Sequence, residues 1–520
     1  MTNKASFLCI DAGSQSVRSS LIDDAGNVLF KSQQPLPPPE TPNPGWAECS
    51  VAVIWDAVRK SCQETTEFCR THRVFPHAVG VTAQRATTVN LDSAGQALCA
   101  AILWSDRRRT VNTKPVGGLT GLGMRVMGVD DTVRNFQAEA EINWYAAHRP
   151  QIWDATHKFL FLSGYLNYRL TGKFIDSAAS QVGYVPFDYR RHRWAARHKW
   201  HWRALPGIKR RQLPDLVAPG SLLGPLTEKT AQELGLNAGI PVVACATDKA
   251  CEVLGSGCIA PSQASLSFGT AATVNVPIPV YREVDRFVPP YPAAVPGHFL
   301  SEVQINRGFW LVSWFKNEFA QLDKQLARQQ EIPTEQLLDQ LLAQTPPGAL
   351  GLIAQPYWSP GVRIPGPEAR GALLGFNDAH NRAHIYRALL EGLAYALREG
   401  LERIVARQRA PVALIRVAGG GSQSDQILQM TADIFNLPVE RNRVYEASST
   451  GVAICCAVAT GTHHTFEDAV GRMTGMGTQF QPSPNTAKRY QELYTNVYLR
   501  IYKRLKPLYK TLLELDQPDN

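Results

Sequence analysis

Short apolar runs that end at small polar loops alternate along this chain with segments of helical periodicity. Two of the runs lead directly into an aspartate, Asp11 in FLCIDAGSQS and Asp248 in PVVACATDKA. Two similar openings in one chain predict a duplicated α/β architecture with a cleft between two lobes. The pattern predicts strands or hairpins over 17–30, 78–82, 87–91 and 264–278, and helices over 51–68, 135–172, 384–407 and 485–514.

Length and composition predict a folded protein of two domains. The chain has 520 residues, more than one core usually holds, and 44% of them are hydrophobic. It contains no run of eighteen apolar residues and no apolar leader, so we expect no membrane span, no secretory signal and a cytoplasmic location. The ten cysteines form no CxxC pair, and we expect them to be reduced thiols.

The positive charge is concentrated in residues 190–211, here called the basic segment. It holds nine Lys and Arg residues and no acidic residue, which equals the whole net charge of +9. Basic residues interleaved with Trp194, Trp200 and Trp202 are compatible with a nucleic-acid surface. We favour the alternative, a surface helix whose tryptophans face the core, because a nucleic-acid-binding protein usually spreads its basic surface over several elements. We therefore expect no nucleic-acid partner.

Three consecutive glycines occur in VAGGGSQSD, between a predicted strand and a predicted helix. Glycines at this position allow backbone N–H groups to approach a ligand, and the start of a helix favours anions. Neither of the two common nucleotide motifs, GxGxxG and GxxxxGK[ST], is present. Taken alone, residues 419–421 are equally compatible with a tight turn.

The motifs taken together resemble the FGGY carbohydrate kinases, a branch of the actin-like ATPase superfamily, over essentially the whole chain. The matching segments are IDAGSQSVRSSLID (first phosphate loop), GWAE and ILWSDRR (sugar side), ATDKACEVLGSG (catalytic aspartate), LSFGTAATV (second phosphate loop), VAGGGSQSDQILQMTADIFNLPVE (adenosine loop) and GALLGFNDAHNRAHIYRALLEG (C-terminal signature). The resemblance implies an α/β fold of two actin-like (ribonuclease H-like) lobes with an interlobe catalytic cleft. Residues 1–250 would hold the sugar and the first phosphate loop, and residues 251–520 would hold the nucleotide.

The resemblance also implies roles for individual residues. Asp248 is expected to be the general base that deprotonates the sugar hydroxyl, and Asp11 is expected to hold Mg²⁺, through water. Lys249 would help to keep Asp248 ionised. The expected ATP contacts are Gly13, Ser14, Gln15, Arg18, Gly269, Thr270, Gly420, Gly421 and Asp425, although for Arg18 a structural ion pair is an equal alternative. The expected sugar contacts are Arg85, Ala86, Trp104, Asp106 and Asp248.

Two segments of the predicted sugar side bear on the substrate. TAQRATT, residues 82–88, resembles the NQRETT loop of glycerol kinases, but Ala86 replaces its acidic residue, and WSDRR is closer to xylulokinases. A three-carbon ligand would leave polar groups unpaired, at about 1–3 kcal/mol each. We therefore expect phosphorylation of a ketopentose or pentitol. Alternative functions left open are a glycerol or other polyol kinase and a catalytically silent sugar or nucleotide sensor. A homodimeric assembly is also left open.

Overall fold

The structure is a computed structural model that describes residues 5–111, 113–285, 288–361 and 364–516, apart from the side chains at positions 119 and 476. Strands and helices alternate throughout these ranges, as the two periodicities predict. The strands are β1 (Ser6–Ala12), β2 (Ser16–Asp23), β3 (Val28–Pro35), β4 (Glu48–Cys49), β5 (Ala78–Ala83), β6 (Thr88–Leu91), β7 (Ala101–Ile102), β8 (Lys158–Phe161), β9 (Ile175–Ser177), β10 (Phe187–Asp188), β11 (Arg193–Trp194), β12 (Asp215–Val217), β13 (Leu222–Pro225), β14 (Pro241–Val243), β15 (Gln263–Phe268), β16 (Ala272–Ile278), β17 (Tyr291–Pro292), β18 (Phe299–Ile305), β19 (Ile353–Gln355), β20 (Ala372–Leu374), β21 (Leu414–Ala418), β22 (Val439–Asn442) and β23 (Met476–Phe480).

The helices vary widely in length. They are α1 (Val51–His72), α2 (Gly118–Val126), α3 (Asp130–Glu139), α4 (Glu141–His148), α5 (Pro150–Ala155), α6 (Leu162–Thr171), α7 (Trp200–Ala204), α8 (Glu228–Leu234), α9 (Asp248–Gly255), α10 (Trp310–Phe319), α11 (Gln321–Gln329), α12 (Thr334–Ala343), α13 (Arg382–Gln408), α14 (Asp425–Phe435), α15 (Ala447–Ala459), α16 (Phe466–Met473), α17 (Pro484–Leu493) and α18 (Leu499–Leu515). A π-helical turn, Tyr494–Tyr498, joins α17 to α18. Within the described ranges, no helix is long and apolar enough to cross a membrane.

The chain divides into two compact units that are interleaved in sequence. Unit 1 comprises the residues up to Ile259 together with Pro279–Leu300 and Glu446–Gly475. Unit 2 comprises Ala260–Ile278, Ser301–Tyr445 and the residues from Met476 onward. On the sequence alone, sugar binding is assigned to residues 1–250 and nucleotide binding to residues 251–520. This division of function stays a prediction.

Unit 1 is built on a mixed sheet with the strand order β13-β14-β5-β1-β2-β3. Strand β1 is central, parallel to β5 and antiparallel to β2, so Asp11 lies opposite Thr82 on one side and Arg18 on the other. Successive residues of β1 face different cores: Leu8 belongs to the cluster that contains α1, and Phe7 to the cluster that contains α9 and α15. A strand buried on both faces reads as a continuous apolar run, which explains the opening of the sequence.

In unit 2 the strands pair in the order β18-β16-β15-β21-β22-β23. Strands β15 and β16 form the predicted hairpin, which turns at Gly269 and Thr270. Strand β21 runs parallel to β15 and to β22, and the adenosine-loop sequence lies between β21 and α14. The predicted helix over 384–407 is α13, and it is buried along most of its length.

Three sequence predictions need correction. The predicted helix over 135–172 is divided by β8, because its apolar residues pair with β6 and the tertiary pairing overrides the local periodicity. The basic segment is helical only at α7 and, as a short 3₁₀ turn, over Arg210–Gln212; its first part contributes β11, which pairs with β10 just before the segment. Asp248 is the first residue of α9 and does not lie in a loop.

The tryptophans of the basic segment point inward, as the favoured alternative predicts. Trp194 and Trp202 are partly buried, and their indole N–H groups donate to the backbone oxygens of Pro214 and Ala195. Trp200 packs edge-on against Phe136. Indoles that are tied to the fold in this way are not available as a continuous stacking surface for bases.

Helices α9 and α15 of unit 1 cross at two glycines. A Cβ atom at Gly451 would lie 2.0 Å from the carbonyl oxygen of Cys251, and one at Gly255 would lie 1.9 Å from that of Ala447. Only hydrogen at these positions allows the two backbones to approach so closely. This crossing fixes α9, and therefore the position of Asp248.

We expect Gly451→Ala to destabilise the protein by about 1–3 kcal/mol, because its methyl group has no space between the helices. Gly471→Ala in α16 is the matched control, since nothing lies within 4 Å of its added Cβ. There the substitution should be neutral or stabilising by up to about 1 kcal/mol. Thermal melting of both variants tests this, and equal melting temperatures would contradict the proposed close crossing.

Candidate active site

The first phosphate loop is the short connection between β1 and β2. The amide of Gly13 donates to the carbonyl oxygen of Ser16 at 3.1 Å and closes the turn. Gln84 contacts the loop in two ways. Its side-chain oxygen accepts a hydrogen bond from the Ser14 hydroxyl at 2.8 Å, and its backbone N–H donates to the carbonyl oxygen of Ala12. Ser14 and Gln15 are exposed at the surface of unit 1.

Asp11 ends β1 as a buried carboxylate, 6% exposed. Burial raises the pKa of the Asp11 carboxyl to about 7, and the nearby Arg18 guanidinium opposes this rise. The Arg18 Nη1 atom lies 3.6 Å from the Asp11 carboxylate, so Arg18 forms the structural ion pair that was one of its two predicted roles. The acidic side chains that raise the pKa further are Asp248, Glu446 and Glu252.

This concentration of acidic groups is compatible with a hydrated Mg²⁺. No group of three or more His, Cys, Asp or Glu side chains in the described ranges is arranged to hold a metal ion directly. Magnesium usually keeps several water ligands and is bound through one or two carboxylates together with the phosphates of a nucleotide. Asp11, with Asp248 near it, offers this limited kind of coordination.

Asp248 lies at the first turn of α9, where the helix dipole favours a negative charge. Thr247 caps the helix by accepting from the Ala250 amide at 3.4 Å, and the Lys249 amide donates to Asp248 Oδ1 at 2.8 Å. Burial raises the pKa of Asp248 above its usual value, while Lys249 and Arg85 oppose the rise. Asp248 is therefore a carboxylate of increased basicity that nearby cations keep ionisable.

Arg85 and Ala86 lie in the loop between β5 and β6. The guanidinium of Arg85 is stacked 5.1 Å from the ring centre of Tyr291 and acts on the Asp248 carboxyl electrostatically. Ala86 adopts a left-handed backbone conformation, with φ of 56°. A non-glycine residue in this conformation is uncommon and tends to mark a constrained site.

Trp104 contacts both the loop between β5 and β6 and the first phosphate loop. Its indole N–H donates to the Ser14 hydroxyl at 2.8 Å, and its amide donates to the Thr87 hydroxyl at 3.3 Å. Trp104 is 44% exposed, which leaves aromatic surface accessible next to the phosphate loop. The structure thus brings together the predicted residues Ser14, Arg85 and Trp104 within unit 1.

Asp106 has a different environment from the one expected of a sugar ligand. Both of its oxygens are occupied, by the backbone and guanidinium of Arg108 and by the Ala47 amide at 2.6 Å. The Arg108 guanidinium also binds Glu48 and lies 4.0 Å from the Trp46 ring centre. This buried cluster joins the GWAE and ILWSDRR segments, so we propose that Asp106 organises the loop that presents Trp104.

The glycine-rich loop of unit 2 contains three glycines in different surroundings. Gly419 has φ of 86°, and an added Cβ would lie 2.8 Å from the backbone of Phe268. An added Cβ at Gly421 would lie 2.3 Å from the Phe309 ring. At Gly420, by contrast, the Tyr445 hydroxyl at 3.9 Å is the one described atom within 4 Å. Gly420 therefore borders open space, whereas the other two are required by packing.

Arg441 braces the same loop from β22. Its guanidinium donates to Ser422 O at 2.7 Å and to Gln423 O at 3.3 Å, and it pairs with the exposed carboxylate of Asp425. Asp425, which was predicted to contact the nucleotide, forms an ion pair with Arg441 in this structure. In the second phosphate loop, Gly269 and Thr270 accept backbone hydrogen bonds from Phe309 and Trp310.

Four residues of this arrangement were not predicted from the sequence: Gln84, Arg108, Tyr291 and Arg441. Gln84 and Arg108 lie within the segments that carried the resemblance. The sequence therefore placed them near the predicted site, but it did not show which residues they contact. Tyr291 lies in a segment of prolines and alanines, and Arg441 lies in a strand. Neither has a local sequence pattern that would indicate a functional role. Only the tertiary structure relates them to the site.

Comparison with known proteins gives a consistent result over the whole chain. Residues 6–255 match the model of the N-terminal domain of the FGGY family of carbohydrate kinases, and residues 264–460 match that of its C-terminal domain. An uncharacterized sugar kinase, YgcE, of Escherichia coli K12 is 28% identical, covering 99% of this chain and 96% of its own length. A xylulose kinase of Staphylococcus epidermidis strain RP62A is also 28% identical, with coverages of 98% and 99%.

The crystal structure of a ligand-bound xylulose kinase from Lactobacillus acidophilus has the same fold. It superposes with a TM-score of 0.81 at 20% identity, covering 98% of this chain and 100% of its own. These matches confirm the predicted α/β class with two actin-like domains, and they define an ATP-dependent carbohydrate kinase. The chain belongs to the FGGY family of carbohydrate kinases.

The surroundings of the glycine-rich loop generate a test of the nucleotide assignment. Gly420→Val should weaken ATP binding at least tenfold and leave the melting temperature nearly unchanged, because its side chain enters open space. Gly421→Val is the comparison, and it should lower the melting temperature, since its side chain collides with Phe309. Calorimetric titration of folded Gly420→Val with ATP gives the answer. An unchanged affinity would contradict the assignment of this loop.

Proposed function

We propose that this carbohydrate kinase transfers the γ-phosphate of ATP to a hydroxyl of an open-chain ketopentose or a pentitol. The observation that carries the proposal is the arrangement within unit 1, where Asp248 begins α9 beside Arg85 and near Asp11. A proton acceptor, a cation for a substrate oxygen and a magnesium-binding carboxylate are the groups that phosphoryl transfer to an alcohol requires.

Asp248 is proposed to act as the general base. Its raised pKa makes the carboxylate a better proton acceptor than an exposed aspartate, and Arg85 and Lys249 limit the rise. The Lys249 ammonium is shared with Glu252 at 3.2 Å, so its charge is partly neutralised. The sugar hydroxyl loses its proton to Asp248 while its oxygen bonds to phosphorus and the oxygen that links the γ- to the β-phosphate leaves.

The remaining residues position the reactants. Ser14, held between Gln84 and Trp104, presents the loop that would approach the transferred phosphate. Asp11 would hold a hydrated Mg²⁺, which when bound neutralises negative charge on the phosphates. The exposed ring of Trp104 and the guanidinium of Arg85 would line the sugar site and supply apolar contact and hydrogen-bond donors.

Two observations support a substrate longer than glycerol. At position 86 the short alanine side chain leaves the acceptor position of the glycerol kinase loop without a carboxylate. The relative from Staphylococcus epidermidis and the structure from Lactobacillus acidophilus both carry the name xylulose kinase. Identity of 28% or less supports the reaction class more strongly than the particular sugar, so a substrate panel is required.

Asp248→Asn should reduce kcat by about 10²–10⁴-fold while retaining the fold and ATP binding, because an amide cannot accept the proton. Asp11→Asn should also reduce kcat, but through weaker Mg²⁺ binding, so raised Mg²⁺ should partly restore it. No such recovery is expected at position 248. A magnesium titration of both variants and the wild type, with ADP release as the readout, makes the comparison. Retention of more than about a tenth of kcat by Asp248→Asn would exclude it as the base.

Ala86→Glu should shift the ratio of kcat/KM values toward glycerol and other small polyols, because it introduces a carboxylate acceptor in the sugar loop. Ala86→Gln is the control of equal size without the charge, and it experiences the same backbone strain at φ of 56°. The panel should include D-xylulose, xylitol, D-gluconate and glycerol. If both variants keep the wild-type ratios, residue 86 does not line the sugar site.

A further inference from the structure

Unit 2 contains a cavity whose lining residues lie outside the family motifs described above. Its volume is about 280 Å³, close to the lower end of small-molecule pockets. It lies among β19, α13 and the start of α18, next to the π-helical turn. Its walls combine aromatic, amide, carboxylate and ammonium groups, chiefly Gln355, Tyr357, Glu399, Tyr498, Tyr502 and Lys503.

The π-helical turn places a buried tyrosine on this cavity. Tyr498 is the last residue of the turn, is 3% exposed and lines the cavity. Its hydroxyl forms no hydrogen bond within 3.5 Å with the described residues, and the nearest phenol that acts on it is Tyr357, another residue of the cavity wall. A buried hydroxyl without a partner costs about 1–3 kcal/mol, and π-helical turns are found frequently at functional sites. The unpaired hydroxyl therefore indicates a missing partner on the cavity side.

Two further groups, the buried Gln355 and the half-buried Glu399, have unused hydrogen-bonding capacity. The side-chain oxygen of Gln355 accepts from the Tyr509 hydroxyl at 2.6 Å, whereas its amide nitrogen donates to none of the residues that the structure describes. Within the described ranges, Glu399 accepts one long hydrogen bond, from the Tyr357 hydroxyl at 3.4 Å, and the Arg403 guanidinium acts on its carboxylate electrostatically. Burial raises the pKa of Glu399 above its usual value. The cavity thus offers an amide donor, a carboxylate acceptor and a phenol that can do both.

The rim of the cavity is aromatic and basic. Tyr502 is fully engaged, since it accepts from the Gly366 amide and donates to Glu368, and its ring stands edge-on to that of Tyr357 at 5.7 Å. Lys503 is exposed and forms no ion pair within the described part of the chain. An aromatic wall with a cation at the entrance suits a ligand that has an apolar face and a polar or anionic end.

We propose that this cavity binds a small polyhydroxylated molecule, a sugar or a sugar phosphate, at a site in unit 2 that is distinct from the Asp248 site in unit 1. Vicinal hydroxyls would donate to Glu399 and accept from Gln355 and Tyr498. The C–H face of the sugar chain would pack on the tyrosine rings. The proposal goes beyond the kinase reaction and requires no turnover.

The test is calorimetric titration of the full-length protein with D-xylulose, xylitol, D-xylulose 5-phosphate and inorganic phosphate. We expect at least one polyhydroxylated probe to bind wild type at two sites. In Tyr498→Phe the second site should weaken at least tenfold. The melting temperature should stay equal or rise, because the substitution removes an unpaired buried hydroxyl.

Tyr395→Phe is a matched control for this substitution. Tyr395 is 1% exposed, its ring lies 5.1 Å from that of Tyr498, and its hydroxyl is likewise unpaired among the described residues, but it does not line the cavity. This variant should keep both sites with affinities within twofold of wild type. Equal losses in the two variants, or a single site in wild type for every probe, would overturn the proposal.

A third variant, Lys503→Ala, distinguishes the two ligand sources. Weaker second-site binding of D-xylulose 5-phosphate but not of D-xylulose or xylitol assigns the site to a phosphorylated ligand. Unchanged second-site binding of all probes assigns it to a neutral sugar. Second-site binding of inorganic phosphate alone would contradict recognition of a polyhydroxylated chain.

Discussion

The arrangement of unit 1 depends on bringing carboxylates together where solvent is largely excluded. Burial raises the proton affinity of Asp11, near the end of β1, and of Asp248, at the start of α9, and the Asp248 carboxylate raises that of Asp11 further. Nearby cations oppose this rise: Arg18 acts on Asp11, and Lys249 and Arg85 act on Asp248. A substrate complex that carries its own cation and phosphates replaces part of this compensation, so the site is prepared for charged ligands.

Because these buried carboxylates must be held in place, the elements of unit 1 around them are closely packed. The position of Asp248 is fixed by α9, and α9 approaches α15 at glycines, where the helices meet backbone to backbone. Elsewhere in unit 1, a buried arginine, Arg108, joins two loops through two carboxylates and an indole. Buried ionic clusters of this kind contribute geometry more than net stability, because desolvation offsets most of the attraction.

The sequence predicted the parts of this protein that depend on local pattern. The strand that ends at Asp11, the hairpin that follows it and the long helix α13 can be recognised because burial imposes a periodicity on each. The strand β8 was missed because a short apolar run fits either periodicity until a pairing partner is known. The hydrogen bond from the Ala47 amide to Asp106 and the contact of Tyr291 with Arg85 join residues distant in sequence, and no local pattern encodes such contacts.

The π-helical turn between α17 and α18 also sets the rotational phase of the last helix. Each residue of an α-helix advances the direction of its side chains by about 100°. A π-helical turn accommodates an extra residue without ending the helix, so every later side chain is rotated relative to a continuous α-helix. Loss of one residue from Tyr494–Tyr498 would turn Tyr502 and Lys503 away from their present face while leaving the helix itself intact. The orientation of this terminal segment therefore depends on residue count as well as on residue type.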